Sequence, residues 1–276
     1  GTVLEHGYAH ARAIAAAGRH PAILHIGADG LQNHARWADV DLYKAVLSNL
    51  TGMPNGTLKL AFVEPVASKS LVFWTNVGRL PINPSQVQLI TAMVAGDCEG
   101  DHPVLYRVSD LACRDFGFST LLTDGWVTSN WDRVKGTIKV WVEAGWRVPC
   151  HNQSRGQDCS EGMRRLLDAR NLSSYVEELH VPCLTVEGLI KEAGISPEDV
   201  AMLIVDAEGL DVEIIHSSLS VSGFRPGLIQ FEGPVDLTGT RVAKRLRRYG
   251  YSLGFKGNDV GHGGDANDIV AMLPVS

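Results

Sequence analysis

The sequence predicts an α/β fold in which a mostly parallel sheet carries helices on both faces. Short apolar runs alternate with helical patterns along most of the chain, and this alternation is typical of parallel strands joined by helical crossovers. Two further apolar runs, 251–255 and 268–273, are separated by a loop rich in glycine, aspartate and asparagine. That loop is too polar for a helix, so we expect these two runs to be antiparallel neighbours.

The N-terminal part of the chain supplies three predicted strands and three predicted helices. Each strand is a short apolar run that stops at a glycine turn or at acidic residues, and each helix has apolar residues at helical spacing. The strands are 22–26, 58–63 and 87–94, and the helices are 5–18, 41–50 and 68–76. A further short extended segment is expected at 104–108.

The regular pattern returns after residue 180. Thr185 is expected to cap a helix that runs to Ala193, because a threonine side chain can accept a hydrogen bond from the first helical turn. The run 201–205 is apolar throughout and suits a strand that is buried on both faces of a sheet. A helix to about Leu219, a strand at 227–231 and a basic helix at 238–249 complete the pattern.

Between residues 110 and 180 the pattern weakens, and we interpret this segment as an insertion into a single domain that spans 1–276. It holds one clear helix, 160–171, and four of the six tryptophans: Trp126, Trp131, Trp141 and Trp146. The insertion either forms a lid over the active edge of the sheet, since binding pockets favour aromatic walls, or is a satellite core. The sequence favours neither alternative.

Composition and charge exclude several classes of function. With 45% apolar residues the chain can form a full core. No apolar run approaches the roughly 20 residues of a membrane span. A net charge of -6 argues against nucleic acid or an anionic membrane as the main partner.

Cysteines and glycosylation triplets bear on the compartment. Cys150 and Cys159 flank a polar loop and are candidates for a disulfide. The remaining cysteines are interpreted as ordinary small or buried residues: Cys98, Cys113 and Cys183. Four Asn-x-Ser/Thr triplets occur, at Asn49, Asn55, Asn152 and Asn171. Together with the candidate disulfide these triplets point to a secretory compartment, but such triplets also arise by chance, so a cytoplasmic location stays open.

The ends of the strands carry the residues most suited to chemistry. Asp206, Glu208 and Gly209 follow directly after the apolar run 201–205, and in open α/β sheets ligands bind outside the carboxyl ends of the strands. A structural alternative is that both carboxylates only cap the next helix, since acidic residues favour helix N-termini. The turn 27–30 and Glu64 occupy the corresponding positions after the first and second strands.

At these positions the chain resembles the FkbM family of S-adenosylmethionine-dependent methyltransferases, whose sheet has the Rossmann-like methyltransferase arrangement. The most specific match is Leu203-Ile-Val-Asp206-Ala-Glu208-Gly209. The other matching stretches follow the order of the family and are His25–Gly30, Phe62–Pro65, Ala92–Tyr106, Cys183–Ile190 and Gln230–Glu232. The resemblance covers most of the chain and implies a methyltransferase domain.

The resemblance implies that S-adenosylmethionine is the cofactor. The ribose of its adenosine carries two hydroxyls whose hydrogen bonds one carboxylate can accept, and Glu64 is placed for this role at the end of the second strand. Glycines in the first turn let the backbone approach the ligand closely. Asp97 is placed to reach the adenine end, although a surface turn is the commoner position for such a residue. The residues expected to bind the cofactor are Gly27, Ala28, Asp29, Gly30, Glu64 and Asp97.

The expected reaction is methyl transfer to a hydroxyl of a small molecule or a glycan. Because the donor is already activated, positioning in a desolvated pocket supplies most of the acceleration. Asp206, Glu208 and Glu232 are expected to be catalytic, and Asp206 or Glu208 would accept the proton of the acceptor hydroxyl. An alternative is that Asp206 and Glu232 hold a divalent cation that orients vicinal oxygens.

Two positions depart from the family pattern and keep other functions open. His25 stands where the family usually has an acidic residue that helps to hold the charged amino-acid end of the cofactor, and Leu31 stands where glycine is expected. One alternative is therefore a degenerate cofactor-binding or scaffolding domain without catalysis. The other is a nucleotide-dependent oxidoreductase on a similar sheet, against which the first turn lacks the full G-x-G-x-x-G pattern.

Overall fold

A mixed seven-stranded sheet forms the centre of the first of two units into which the chain divides. The computed structural model describes residues 3–31, 39–50, 53, 57–98, 104–117, 127–143, 159–207, 209–233, 239–255 and 268–274. The first unit comprises Gly1–Glu99 and Cys183–Ser276, and the second comprises Gly100–Pro182. The insertion predicted at about 110–180 therefore lies within the second unit.

The order of the strands in the central sheet follows from their pairing. In chain order the described strands are β1 (Ala22–Ile26), β2 (Lys59–Val63), β3 (Val87–Ile90), β4 (Met93–Val94), β5 (Val104–Val108), β6 (Val176–His180), β7 (Cys183–Leu184), β8 (Val200–Val205), β9 (Leu228–Glu232), β10 (Ser252–Phe255) and β11 (Asp268–Met272). The order across the sheet is β10-β11-β9-β8-β1-β2-β3. Strand β11 is antiparallel to both of its neighbours, and the other described pairs of this sheet are parallel. The predicted α/β class and the antiparallel C-terminal pair are confirmed.

Helices cover both faces of the central sheet. The described helices are α1 (Leu4–Ala16), α2 (Asp39–Asn49), α3 (Ser70–Val77), α4 (Asp110–Phe116), α5 (Trp131–Glu143), α6 (Ser160–Leu167), α7 (Val186–Glu192), α8 (Asp211–Ser218) and α9 (Arg241–Arg248). Residues of α1, α2 and α3 share a buried cluster with one face of the strands. Residues of α7, α8 and α9 share a second cluster with the other face, so the sheet has a core on each side.

Strands β1 and β8 lie at the middle of this arrangement because their sequences can be buried on both faces. Every residue of both strands is buried. In a parallel sheet covered by helices this requires apolar side chains at successive positions and not only at alternate ones. The predicted cap of α7 is confirmed: the Thr185 hydroxyl accepts a hydrogen bond from the Gly188 N–H at 3.1 Å.

The second unit has a small core of its own. Strands β5 and β6 form an antiparallel pair, and α4, α5 and α6 contribute Cys113, Ile138 and Met163 to a buried cluster. Trp131 packs against this cluster, whereas the side chains of the other tryptophans of the predicted insertion lie outside the described residues. The lid function of the insertion stays a prediction.

Three structural expectations are wrong. The single strand predicted at 87–94 is interrupted, because β4 leaves the central sheet and pairs with β7 instead. The helix predicted to reach residue 171 ends at Leu167, and a short 3₁₀ turn follows in which the Ser174 hydroxyl donates to the Asn171 carbonyl oxygen. Such local side-chain hydrogen bonds compete with a continuing helix.

The third correction concerns the cysteines. Cys98 and Cys183 are not ordinary unpaired residues but form a disulfide across 85 positions of sequence, with their Cα atoms 5.7 Å apart. Cys159 is also disulfide-bonded, and its candidate partner Cys150 lies outside the described residues. Cys113 is buried and is not part of a disulfide.

In the described part of the chain, no helix has both the length and the apolar character needed to cross a membrane.

His25 is a core residue of β1. Its side chain is 4% exposed, and its Nδ1 atom lies 3.1 Å from the hydroxyl of Tyr43 on α2. The ring also contacts Phe62 of β2. Burial disfavours the imidazolium and lowers the pKa of His25 from 6.5 to about 4. His25 is therefore neutral at pH 7 and belongs to the packing of the core.

The pH dependence of stability tests this environment. Because the unfolded chain binds a proton near pH 6.5 and the folded chain only near pH 4, acidification favours unfolding in that interval. Between pH 7 and pH 5 this effect should lower the free energy of unfolding by about 2 kcal/mol. Urea titrations of the wild type and His25→Gln at the two pH values should show a smaller loss in the variant. His180→Gln, which replaces an exposed histidine of β6, should behave like the wild type, and an equal loss in all three proteins would contradict the assignment.

Candidate functional site at the carboxyl edge of the sheet

The loops that follow β1, β2 and β8 meet at one edge of the central sheet. The N–H groups of Gly27 and Ala28 both donate to the carbonyl oxygen of Val63 at 3.0 Å, and the N–H of Asp206 donates to the carbonyl of Ile26 at 2.8 Å. These bonds extend the parallel ladders past the ends of the strands. The first turn therefore lies between the loop that carries Glu64 and the loop that carries Asp206.

This edge contains the switch point of the sheet. Strand β1 has β2 on one side and β8 on the other, so the connection after β1 runs to one side of the sheet and the connection after β8 runs to the other. Ligands of open α/β sheets bind in the crevice outside the carboxyl ends of the strands at such a point. The sequence prediction that Gly27, Glu64 and Asp206 share one edge agrees with this geometry.

Gly27 is required at its position by the closeness of two backbones. Its φ angle is +84°, and a Cβ atom built on it would lie 1.7 Å from the carbonyl oxygen of Asp206. No other residue type can combine this left-handed backbone with this contact without moving the loop after β8. Gly27 therefore sets the spacing between the loops after β1 and β8.

The rest of the first turn is left-handed and tightly held. Asp29 and Leu31 have φ angles of 39° and 52°, and Gly30 between them has 66°. The Asn76 side chain on α3 donates to the Gly30 carbonyl oxygen at 3.1 Å. Leu31 thus adopts the backbone conformation that glycine prefers, at a cost of roughly 1 kcal/mol or more, while its fully buried side chain gains packing in the core.

Glu64 joins the loops after β1 and β2. Its side chain is 4% exposed and accepts a hydrogen bond from the Val66 N–H at 2.8 Å, and it also accepts one from the backbone of Asp29. The Lys69 ammonium lies 3.8 Å from the Glu64 Oε1 atom and forms an ion pair with Asp29. Glu64, Asp29 and Lys69 form one electrostatic cluster beside the first turn.

The environment of Glu64 has opposing effects on its charge. Burial raises the pKa of this carboxyl, and the nearby Lys69 ammonium acts in the opposite direction. An ionised carboxylate has about four acceptor positions. By this count, the two backbone hydrogen bonds of Glu64 leave about two acceptor positions on its carboxylate.

Asp211, the first residue of α8, holds the loop after β8 against the end of β9. It is 2% exposed, and its carboxylate accepts hydrogen bonds from the N–H groups of Ala207, Gly209 and Glu232, each at 3.3 Å. Burial raises the pKa of Asp211, and the three N–H donors act in the opposite direction. Asp211 thereby connects the loop that carries Asp206 to the end of β9, where Glu232 lies.

The expected catalytic residues are partly described. Asp206 and Glu232 are half-buried and follow or end the adjacent strands β8 and β9. Glu208 lies outside the described residues. Within the described ranges, no three His, Cys, Asp or Glu side chains form a group that could hold a metal ion.

Asp97 lies outside the central sheet, because it follows β4 and not β3. It is exposed. Its neighbour Gly96 donates its N–H to the Glu213 Oε1 atom at 3.1 Å, which attaches this loop to the first turn of α8. Since α8 begins just after β8, Asp97 belongs to a loop that approaches the same edge.

Sequence reasoning missed two residues that shape the site, Lys69 and Asp211. A lysine a few positions after the end of a strand has no pattern that separates it from a surface lysine. Asp211 did have a recognisable feature, because an acidic residue in the first turn of a helix after a buried strand is placed to bind free N–H groups.

Comparison with models of protein families, with curated proteins and with solved structures gives no match for this chain. Function is therefore inferred from the sequence, the fold and the site.

Replacement of Gly27 by alanine tests the close approach of the two loops. The left-handed backbone and the contact with the Asp206 carbonyl should together lower the free energy of unfolding by about 3 kcal/mol or more. Gly18→Ala is the matched control, because Gly18 has a φ of +73° but no atom lies within 4 Å of a Cβ placed on it, and it should lose only about 1 kcal/mol. Equal losses in urea unfolding would show that the contact with Asp206 does not constrain position 27.

Asp211→Asn tests the connection between the loop after β8 and the end of β9. An asparagine side chain presents an NH₂ group in place of one acceptor oxygen, so at least one N–H donor loses its partner. We expect a loss of about 1–3 kcal/mol in the free energy of unfolding. Glu213→Gln makes the same change of charge in the same helical turn but keeps an acceptor for Gly96, so it should stay within about 0.5 kcal/mol of the wild type. If the two variants are equally stable, Asp211 does not hold the loops.

Proposed function

We propose that this protein is an S-adenosylmethionine-dependent O-methyltransferase that acts on a hydroxyl of a small molecule or a glycan. The observation that supports this most strongly is the order of the central sheet. Numbered along the chain, its strands lie in the order 3-2-1-4-5-7-6, with the seventh reversed. The dinucleotide-binding fold has the order 3-2-1-4-5-6, whereas a reversed last strand agrees with the Rossmann-like methyltransferase sheet that the FkbM resemblance implies.

The charges at the edge also support a methyl donor over a dinucleotide. The described loops bring Glu64, Asp206, Asp211 and Glu232 to this edge, and Lys69 is paired with Glu64 and Asp29. An acid-rich crevice favours a ligand with a positive charge and hydroxyl groups and disfavours a pyrophosphate. A sulfonium donor with a ribose diol has these properties.

The residues of the edge suit distinct tasks in this proposal. Glu64 would bind the ribose hydroxyls, and the turn 27–30 would support the adenosine. S-adenosylmethionine supplies a methyl group that is already activated as a sulfonium. Asp206 is the residue we expect to accept the proton of the acceptor hydroxyl. The other two residues expected to be catalytic are Glu208, two positions further along the chain, and Glu232, at the end of the neighbouring strand β9. Whether a divalent cation assists Asp206 and Glu232 is tested by comparing activity with and without a chelator.

One observation favours a second candidate, a degenerate binding domain without catalysis. His25 occupies the position where the FkbM resemblance leads us to expect a carboxylate for the amino-acid end of the cofactor, and its ring contacts Tyr43 and Phe62 in the core. His25 therefore cannot supply that contact. Binding and turnover have to be measured separately.

Calorimetric titration with S-adenosylhomocysteine separates these functions. The wild type should bind it, NAD should not bind, and Glu64→Gln should weaken binding by roughly 10- to 100-fold, because a charged hydrogen bond is worth about 1.5–3 kcal/mol. Glu192→Gln, at an exposed position on α7, is the control and should bind like the wild type.

The outcomes are distinct. Binding of NAD alone would overturn the proposal in favour of an oxidoreductase. Binding of neither ligand would favour the degenerate domain. Binding of S-adenosylhomocysteine with no transfer of a labelled methyl group to a panel of hydroxyl compounds and glycans would leave a cofactor binder without the proposed activity on those acceptors.

A further inference from the structure

The described cysteines are paired in a way that indicates the redox conditions in which the chain folds. Cys98 and Cys183 form a disulfide, Cys159 is disulfide-bonded, and Cys113 has 0% exposure and is not part of a disulfide. Among the described residues, therefore, every cysteine that is not completely buried is oxidised. Disulfides persist in secretory and extracellular compartments and are rare where thiol reductants are abundant.

The Cys98–Cys183 disulfide also favours the pairing of two short strands, β4 and β7. It joins Cys183, the first residue of β7, to Cys98 in the loop after β4, and only two residues of each of these strands are paired. A pair of this length has few hydrogen bonds of its own. A covalent link between segments 85 positions apart removes much of the freedom of the unfolded chain and so favours this pairing.

One of the four glycosylation triplets has an asparagine that is accessible in the folded chain. Asn171 is exposed and lies in the turn between α6 and β6. Its Oδ1 atom accepts a hydrogen bond from the Ser173 hydroxyl at 3.0 Å, which joins the first and third residues of the triplet. Within the described residues its Nδ2 atom has no hydrogen-bond partner, so the atom that would carry a glycan faces no competing contact.

The other triplets are weaker candidates. Asn49 is exposed, but its Nδ2 atom donates to the Ala45 carbonyl oxygen at 2.9 Å at the end of α2. A glycan on this atom would have to replace that hydrogen bond. Asn55 and Asn152 lie outside the described residues.

We infer that this chain matures in an oxidising secretory compartment and carries an N-linked glycan on Asn171. The Nδ2 atom forms a bond to the anomeric carbon of an oligosaccharide and loses one proton. The bond between that carbon and the phosphate oxygen of a lipid pyrophosphate donor breaks, and the lipid pyrophosphate leaves. This inference does not depend on the proposed methyltransferase activity.

The experiment is expression of the whole chain behind a secretory leader in eukaryotic cells. Mass spectrometry of the peptide that contains Asn171, with and without peptide N-glycosidase, should show a glycan on most molecules. Asn171→Gln and Ser173→Ala should each abolish it, and Ser173→Thr should maintain or raise the occupancy. Asn83 serves as an internal control, because it is exposed but is followed by Pro84 and Ser85, and proline in the middle of the triplet prevents modification.

The redox state is measured on the same material. Alkylation under non-reducing conditions should leave Cys98 and Cys183 unmodified, and the same chain made in a reducing cytosol should melt roughly 5–15 °C lower. An unmodified Asn171 in chains whose Cys98 and Cys183 are oxidised would contradict the inference that Asn171 carries a glycan. Two results would contradict the inferred oxidising compartment: retention of the chain in the cell with both thiols reduced, or an unchanged melting temperature of the cytosolic chain.

Discussion

The parallel pairing of β1 with β2 on one side and β8 on the other is the constraint on which the site depends. This pairing fixes the direction in which three strands end, and the hydrogen bonds from Gly27, Ala28 and Asp206 continue it into the loops. Because a Cβ atom on Gly27 would collide with the backbone of Asp206, the two loops approach as closely as backbones can. A shift of one strand by one residue would separate Glu64 from the first turn, and the residues of the site would no longer lie together.

Two buried carboxylates stabilise the loops that this pairing brings together. A buried carboxylate is costly unless it is paired and hydrogen-bonded, and Glu64 and Asp211 meet this condition in different ways. Glu64 has two backbone donors and the Lys69 ammonium, whereas Asp211 has three backbone donors. Glu64 therefore keeps about two unused acceptor positions, while Asp211 positions the loop that carries Asp206 against the end of β9, where Glu232 lies.

The sequence allowed the central sheet to be predicted better than its surroundings. Strands β1 and β8 are continuous apolar runs, and such runs have few alternatives in an α/β pattern. Strand β6 was missed because its residues are only half-buried or exposed, so no alternation marks it. The Cys98–Cys183 disulfide and the contact of Lys69 with Glu64 join residues that only the folded chain brings together. Gly27, Glu64 and Asp206 could be placed at one edge because topology alone determines where parallel strands end, but the orientation of each side chain depends on packing that no local pattern contains.

A crystal structure of the chain soaked or grown with saturating S-adenosylhomocysteine tests the central claim most directly. We expect the ligand to lie outside the ends of β1, β2 and β8, with both ribose hydroxyls within hydrogen-bond distance of the Glu64 carboxylate and its sulfur on the side of Asp206. A ligand bound elsewhere on the molecule, or a crevice that stays filled by protein side chains at saturation, would contradict the proposed binding mode.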